Sequence, residues 1–170
     1  MIGTDLPLHP LVVHLPLALA VLVPVLAALA LVLRWRGAPS GHTAWALVAA
    51  LQGLLVLGAW VALRSGQNEE ETVEAIVAES VLEHHEEAAE IFLGGAAGVL
   101  VLAVLALLVP ATSPRRLLMA MTLAGMVLGA VLAVRVGEAG GALVYRHGAA
   151  AAYSTSDVGE PEGALGLEGR

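Results

Sequence analysis

The sequence predicts an all-α protein, a four-helix transmembrane bundle with an amphipathic helical extension before its third helix. Of the 170 residues, 58% are hydrophobic and 14% are charged, whereas a typical soluble domain carries about 25% charged residues. Four long apolar runs each approach the roughly 20 residues that a helix needs to cross a bilayer. We therefore predict one transmembrane domain over residues 1–148, with helices at about 10–33, 44–64, 69–109 and 117–145.

The first predicted helix contains two polar residues in an aliphatic run, His9 and His14 of HPLVVHLP. Pro10 suits the first turn of a helix, so His9 is expected at its mouth. Pro16 and Pro24 lie further along, where a missing N–H predicts kinks. An imidazole left without a partner in apolar surroundings is costly, so these histidines are expected to have partners or a ligand.

The second predicted helix begins near His42 and ends at Arg64-Ser65-Gly66, where Gly66 is a plausible stop. Asn68 then caps an amphipathic helix that is predicted to run into the third membrane helix, with its first half projecting outward or folded over the mouth of the bundle. Its glutamates lie on one face and its apolar residues on another, and helical spacing puts His84 on the apolar face.

The fourth predicted helix carries small residues at four-residue spacing. They are Gly125, Gly129, Ala133, Gly137 and Gly141. Such a ladder allows a neighbouring helix or a flat ligand to approach the backbone closely. The Gly-rich tail, residues 149–170, lacks an apolar pattern and is predicted to be disordered.

Arginines in two connections predict the orientation of the bundle. Arg34 and Arg36 follow the first helix, and Arg115 and Arg116 precede the fourth. The positive-inside rule makes both connections cytoplasmic, which leaves both chain termini outside the bacterial inner membrane. The lipid bilayer is then the main partner, and no nucleic-acid partner is expected.

This topology brings five of the six histidines to the outer end of the bundle. Candidate cofactor-binding residues there are His9, His14, His84, His85, His147, Arg64, Arg135 and Tyr145. Candidate metal ligands are His9, His14, His85, Glu86 and His147. Which of His84 and His85 faces the bundle is left open by the sequence. Ionisable groups gathered in a membrane bundle favour a functional site.

Three chemistries fit such a cluster. Histidines on separate helices can ligate haem b, with arginines meeting the propionates. Imidazoles with a carboxylate can instead bind zinc, copper or iron. A proton-relay network without a ligand is the third. The chain has no cysteine, which excludes thiolate and iron–sulfur sites, and no HExxH or nucleophile-elbow motif is present.

Three segments resemble the recurring motifs of the bacterial domain-of-unknown-function 2231 family. They are HPLVVHLPLAL from His9, the HEE that begins at His85, and GGALVYRHG from Gly140. The resemblance implies a four-helix membrane fold, with His9, His14, His85 and His147 as motif histidines and with Gly140, Gly141 and Tyr145 beside them. Some members of the family are joined to Rieske-type domains, which implies a link to membrane electron transfer.

The leading hypothesis from the sequence is a redox-associated membrane protein that binds haem b or a transition metal, with a membrane redox partner or a second copy of itself. A non-enzymatic structural or partner-binding subunit without a cofactor is the alternative. A small proton-coupled transporter or channel is a weaker one, because the polar residues gather at one end of the bundle.

Overall fold

The computed structural model describes residues 8–154 and confirms the all-α prediction. Its helices are α1 (Leu8–Val12), α2 (His14–Trp35), α3 (Gly41–Glu74), α4 (Glu79–Leu108), α5 (Thr112–Tyr145) and α6 (Ala151–Ser154). Four segments are long and apolar enough to cross a membrane: α1 with α2, α3, α4 and α5.

The four long helices form a closed ring. Helices α2 and α4 each pack against both α3 and α5, and residues such as Val23, Ala27 and Trp45 are buried between them. The Trp45 indole N–H donates to the Ala103 carbonyl at 3.1 Å, and the Gln52 amide donates to the Ala96 carbonyl at 3.0 Å. These bonds join α3 to α4 where no water is available to satisfy the polar groups.

The N-terminal helix is interrupted at Val13, between α1 and α2. Pro16 has no N–H to donate to the Val12 carbonyl, so the regular hydrogen-bond pattern fails there. Pro24 lies inside α2 without interrupting it. The break leaves α1 as a separate turn of helix that carries His9.

The structure differs from the sequence prediction between residues 64 and 79. Helix α3 continues through Gly66 and Asn68 to Glu74, and α4 starts at Glu79 after a short turn. The predicted continuous helix over residues 69–109 is therefore wrong. Gly66 keeps a helical backbone, and a Cβ there would lie 3.2 Å from the His9 ring. Glycine at this position permits close approach of α1, and it does not end the helix.

The prediction of disorder from residue 149 onward is wrong for residues 149–154. Ala149 and Ala152 are buried in a small apolar cluster with Val73, Val77 and Leu143. This cluster holds the segment 148–154, which includes α6, against the C-terminal ends of α3 and α5. Residues 155–170 lie outside the described part of the chain.

The small-residue ladder of α5 makes its closest contact at Gly125. A Cβ there would lie 2.6 Å from Val99 Cγ2 on α4, closer than two carbon atoms pack. At the other glycines of the ladder, a Cβ would have no neighbouring atom within 4 Å. Close packing of α4 on α5 therefore depends on Gly125, while Gly137 and Gly141 border a cavity.

Replacing Gly125 with alanine is expected to lower the free energy of unfolding by about 1–3 kcal/mol, because buried Val99 must move to admit the methyl group. Thermal or denaturant unfolding of the purified protein in mild detergent measures the change. Gly94→Ala is the matched control, since nothing lies within 4 Å of its Cβ position. Equal stability of the two variants would contradict this account of the contact.

Candidate functional site

A cavity of about 800 Å³ lies at one end of the bundle. It is a half-open cavity lined by α1, the start of α2, the end of α3, the start of α4, the end of α5 and the segment 148–154. Its walls are largely apolar, and its polar residues are His9, His14, Gln67, Glu69, Glu70, His85, Glu86, Tyr145 and Tyr153. This is the end that the topology predicts for the histidines.

The His9 ring is held by two groups on α3. Its Nδ1 lies 2.9 Å from the Ala62 carbonyl oxygen and 3.1 Å from Ser65 Oγ. The Ser65 hydroxyl itself donates to the Ala62 carbonyl at 2.8 Å. A carbonyl only accepts, so this network assigns the proton to Nδ1 of His9 and leaves Nε2 with a free lone pair.

The His85 ring faces His9 from α4. The two ring centroids are 6.2 Å apart and the ring planes are nearly perpendicular, at 89°. His85 Nδ1 is buried and has no hydrogen-bond partner among residues 8–154. A Cβ on Gly140 would lie 3.1 Å from His85 Cε1, so the absence of a side chain at residue 140 lets the ring pack closely on α5. A buried ring nitrogen without a partner is a costly feature that calls for a ligand or a proton donor.

Carboxylates surround the two imidazoles. Glu86, next to His85, accepts a hydrogen bond from the Gln67 side-chain amide. The Gln67 carbonyl oxygen in turn accepts from Arg64 at 3.3 Å. Glu69 and Glu70 also line the cavity. None of the described lining residues is arginine or lysine, so the cavity is suited to a cation or a neutral ligand.

Glu69 joins three parts of the chain at the mouth of the cavity. Its Oε1 accepts hydrogen bonds from the Leu8 and His9 backbone N–H groups at 2.8 and 3.0 Å. Its Oε2 accepts from the Tyr153 hydroxyl at 2.9 Å. A carboxylate at these first N–H groups of α1 is a side-chain cap, supplied here by another helix. Glu69 thus fixes the position of His9 and closes the segment 148–154 over the cavity.

The structure brings together only some of the residues that the sequence predicts for the site. His9, His14, His85, Glu86 and Tyr145 line the cavity, although His14 and Tyr145 are also exposed. Four others are exposed and outside the cavity: His84, His147, Arg64 and Arg135. Within residues 8–154, no three His, Asp or Glu side chains are grouped closely enough to hold a metal without further ligands.

Sequence reasoning misses Ser65, Glu69 and Tyr153. In the sequence alone, Ser65 resembles part of a helix end, and Glu69 resembles a charge that favours a helix start. Tyr153 lies in a segment with no periodic pattern. A Ser-Gly pair inside a membrane helix is a signal for close approach of a neighbour, and it indicates the His9 contact in retrospect.

Tyr153 is expected to titrate well above an ordinary tyrosine. Burial, together with its hydrogen bond to the Glu69 carboxylate, raises the pKa of Tyr153 to about 12. Below pH 10 its contribution to stability is complete. Between pH 10 and 12 the unfolded chain loses this proton while the folded chain keeps it, so stability falls as pH rises.

Phenolate absorbance measured in wild type and in Tyr153→Phe checks this titration. The protein has two tyrosines, and the difference between the curves isolates Tyr153. A missing titration step near pH 12 in the variant is the expected result. A missing step near pH 10 would show that the hydroxyl is not held by Glu69.

A family model described as "Predicted membrane protein (DUF2231)" matches residues 5–152. No curated protein and no solved structure matches the chain.

Proposed function

We propose that this chain, which belongs to the DUF2231 family of predicted membrane proteins, is a redox-associated protein that holds a transition metal ion between His9 and His85. The observation that carries the proposal is the pair of facing imidazoles at the cavity end of the bundle. Three features support it: the distance between the two rings, the hydrogen bonds that their ring nitrogens make or lack, and the carboxylates nearby.

The separation of the rings suits one shared ion. Imidazole nitrogens bind transition metals at about 2.0–2.1 Å, and two such bonds on opposite sides of an ion put the ring centroids roughly 6 Å apart. The centroids of His9 and His85 are 6.2 Å apart. The distance between the two rings therefore allows one shared ion.

The hydrogen bonds of the His9 ring also support metal binding. Metal-ligating histidines commonly donate their second ring N–H to a carbonyl or carboxylate, which orients the ring and makes the ligating nitrogen more basic. His9 Nδ1 makes this bond to the Ala62 carbonyl. The ring nitrogens that remain to bind the metal are Nε2 of His9 and the unpartnered Nδ1 of His85.

Copper is the ion that this donor set favours. Imidazole suits copper, iron, zinc and nickel, and copper(II) binds nitrogen and oxygen sites most tightly among the divalent ions. Copper(I), with a filled d shell, accepts two nearly opposed ligands, so a two-histidine site suffices in the reduced state. Glu86 and water are then available to complete the coordination of copper(II).

Haem b is the second candidate, because it too needs only two axial ligands from the protein. Two observations make it the weaker one. Arg64 and Arg135, the predicted partners of the propionates, lie outside the cavity. The acidic side chains Glu69, Glu70 and Glu86 line it and would repel those propionates.

Metal analysis and absorption spectroscopy of the purified protein test the proposal. We expect about one copper per chain after reconstitution, and nitrogen hyperfine splitting in the electron paramagnetic resonance spectrum of the oxidised form. A Soret band would instead identify haem b. If neither copper, iron nor haem binds stoichiometrically, the proposal fails and a structural membrane subunit without a cofactor becomes the leading candidate.

A further inference from the structure

The metal site occupies only the polar end of the cavity. A single ion between two imidazoles fills a small part of about 800 Å³, which is within the size range of pockets for organic ligands. The remaining volume extends along the bundle to Phe92 and Ala133, both of which are buried in membrane-spanning helices. This part of the cavity is lined by apolar side chains.

The cavity borders the membrane-facing surface between α2 and α5. Its exposed wall residues include Leu17 on α2 and Gly137 and Val144 on α5. Because both helices are membrane-spanning, an apolar molecule dissolved in the bilayer can reach the cavity without crossing water. A ligand that enters from this side has an apolar portion.

The polar end limits the head group of such a ligand. Glu69, Glu70 and Glu86 line it, and no arginine or lysine is among the described lining residues, so a phosphate head would be repelled. His85 Nδ1 is buried without a hydrogen-bond partner and needs a donor. A neutral ring with hydroxyl groups satisfies both requirements, because each hydroxyl donates to an imidazole or carboxylate.

We infer that the cavity binds a membrane-soluble quinol, with the hydroxylated ring beside His85 and Glu86 and the tail along the apolar wall towards Phe92. The inference shares the cavity with the proposed copper site but does not require the metal. In the metal-free protein His85 Nδ1 is the acceptor for a quinol hydroxyl. With the ion bound, Glu86, which also lines the cavity, is the acceptor on α4.

Binding of decylubiquinol to the metal-free protein in phosphatidylcholine nanodiscs tests this inference. Equilibrium dialysis against empty nanodiscs corrects for partition into lipid. We expect saturable binding of one quinol per chain. Gly137→Leu is expected to weaken it at least about tenfold, because the new side chain has open space around its Cβ and extends into the cavity.

Gly98→Leu is the matched control. Gly98 also has nothing within 4 Å of a Cβ position, but it lies on α4 away from the cavity, so this variant is expected to bind quinol as the wild type does. Absence of saturable binding, or equal binding by Gly137→Leu, would overturn the inference. So would displacement of the quinol by dioleoylphosphatidylglycerol, which would make the occupant an anionic lipid, or a Soret band, which would make it haem.

Copper binding measured on the same variants separates the two proposals. Gly137→Leu is expected to retain copper while losing quinol. Quinol binding without copper binding in the wild type would leave this inference intact and reject the metal site. Copper binding without quinol binding would leave the metal site intact and reject this inference.

Discussion

Replacing His9 or His85 with alanine is expected to weaken copper binding by about 100-fold or more. Loss of an outer hydrogen-bond partner alone typically costs 10- to 100-fold in metal affinity, and each of these substitutions removes one of only two imidazole ligands. The His9 ring contacts α3 and the His85 ring packs on Gly140 of α5. Neither residue belongs to the main apolar core, so the membrane helices are expected to remain folded. Competition with a chelator of known affinity measures the loss.

His42→Ala and His147→Ala are the matched controls for these variants. Both residues are exposed and neither lines the cavity, so copper affinity is expected to be unchanged. His42 lies at the opposite end of the bundle. Equal losses in all four variants would mean that copper binds exposed histidines without a defined site, and the proposed pair would be rejected.

Glu69→Ala is expected to have the second largest effect, a loss of about 2–4 kcal/mol in the stability of the cavity end of the bundle. The substitution removes the acceptor for the Leu8 and His9 N–H groups and for the Tyr153 hydroxyl. Hydrogen bonds to charged groups contribute about 1.5–3 kcal/mol each when shielded from water, and partial exposure of Glu69 reduces the sum. Native-state hydrogen exchange measures the loss over residues 8–14 and 149–154.

Glu71→Ala is the control, because Glu71 is exposed and lies two residues further along the same helix. It changes the net charge equally and is expected to leave exchange at both segments unchanged. Faster exchange throughout the protein in Glu69→Ala would contradict a local role. Unchanged exchange at residues 8–14 would show that Glu69 does not hold α1.

The four membrane helices could be predicted from the sequence because the bilayer demands long apolar segments that satisfy their own backbone. The error at residues 64–79 has a local cause. Gly66 has the sequence context of a helix stop, but a glycine also permits another helix to approach. The His9 ring, distant in sequence, makes that approach, and no periodic pattern near Gly66 reveals it.

The same error explains why helical spacing favours His84 over His85. That spacing assumes one continuous helix from residue 69 onward. The chain is extended at Ala78, with ψ at 134°, so the helical phase restarts at Glu79 and His85 faces the bundle. That the histidines gather at one end of the bundle could be predicted from the topology alone. The start of the first membrane helix, the end of the second, the start of the third and the end of the fourth all lie on the same side of the membrane.

The contact between Glu69 and Tyr153 could not be predicted, because residues 149–154 have neither regular apolar spacing nor a recognisable capping motif. Their burial depends on a surface made by α3 and α5 together. Such a surface exists only in the folded bundle, and composition alone makes the same residues look unstructured.

The hydrogen bond between Glu69 and Tyr153 joins residues that are synthesised at different times. A chain made from its N-terminus inserts α1 to α4 before Tyr153 leaves the ribosome, so His9 and His85 can meet while the mouth of the cavity is still open. Closure by the segment 148–154 is the last step. Until residues 148–154 have been made, this end of the bundle therefore lacks both the Glu69–Tyr153 hydrogen bond and the apolar cluster around Ala149 and Ala152.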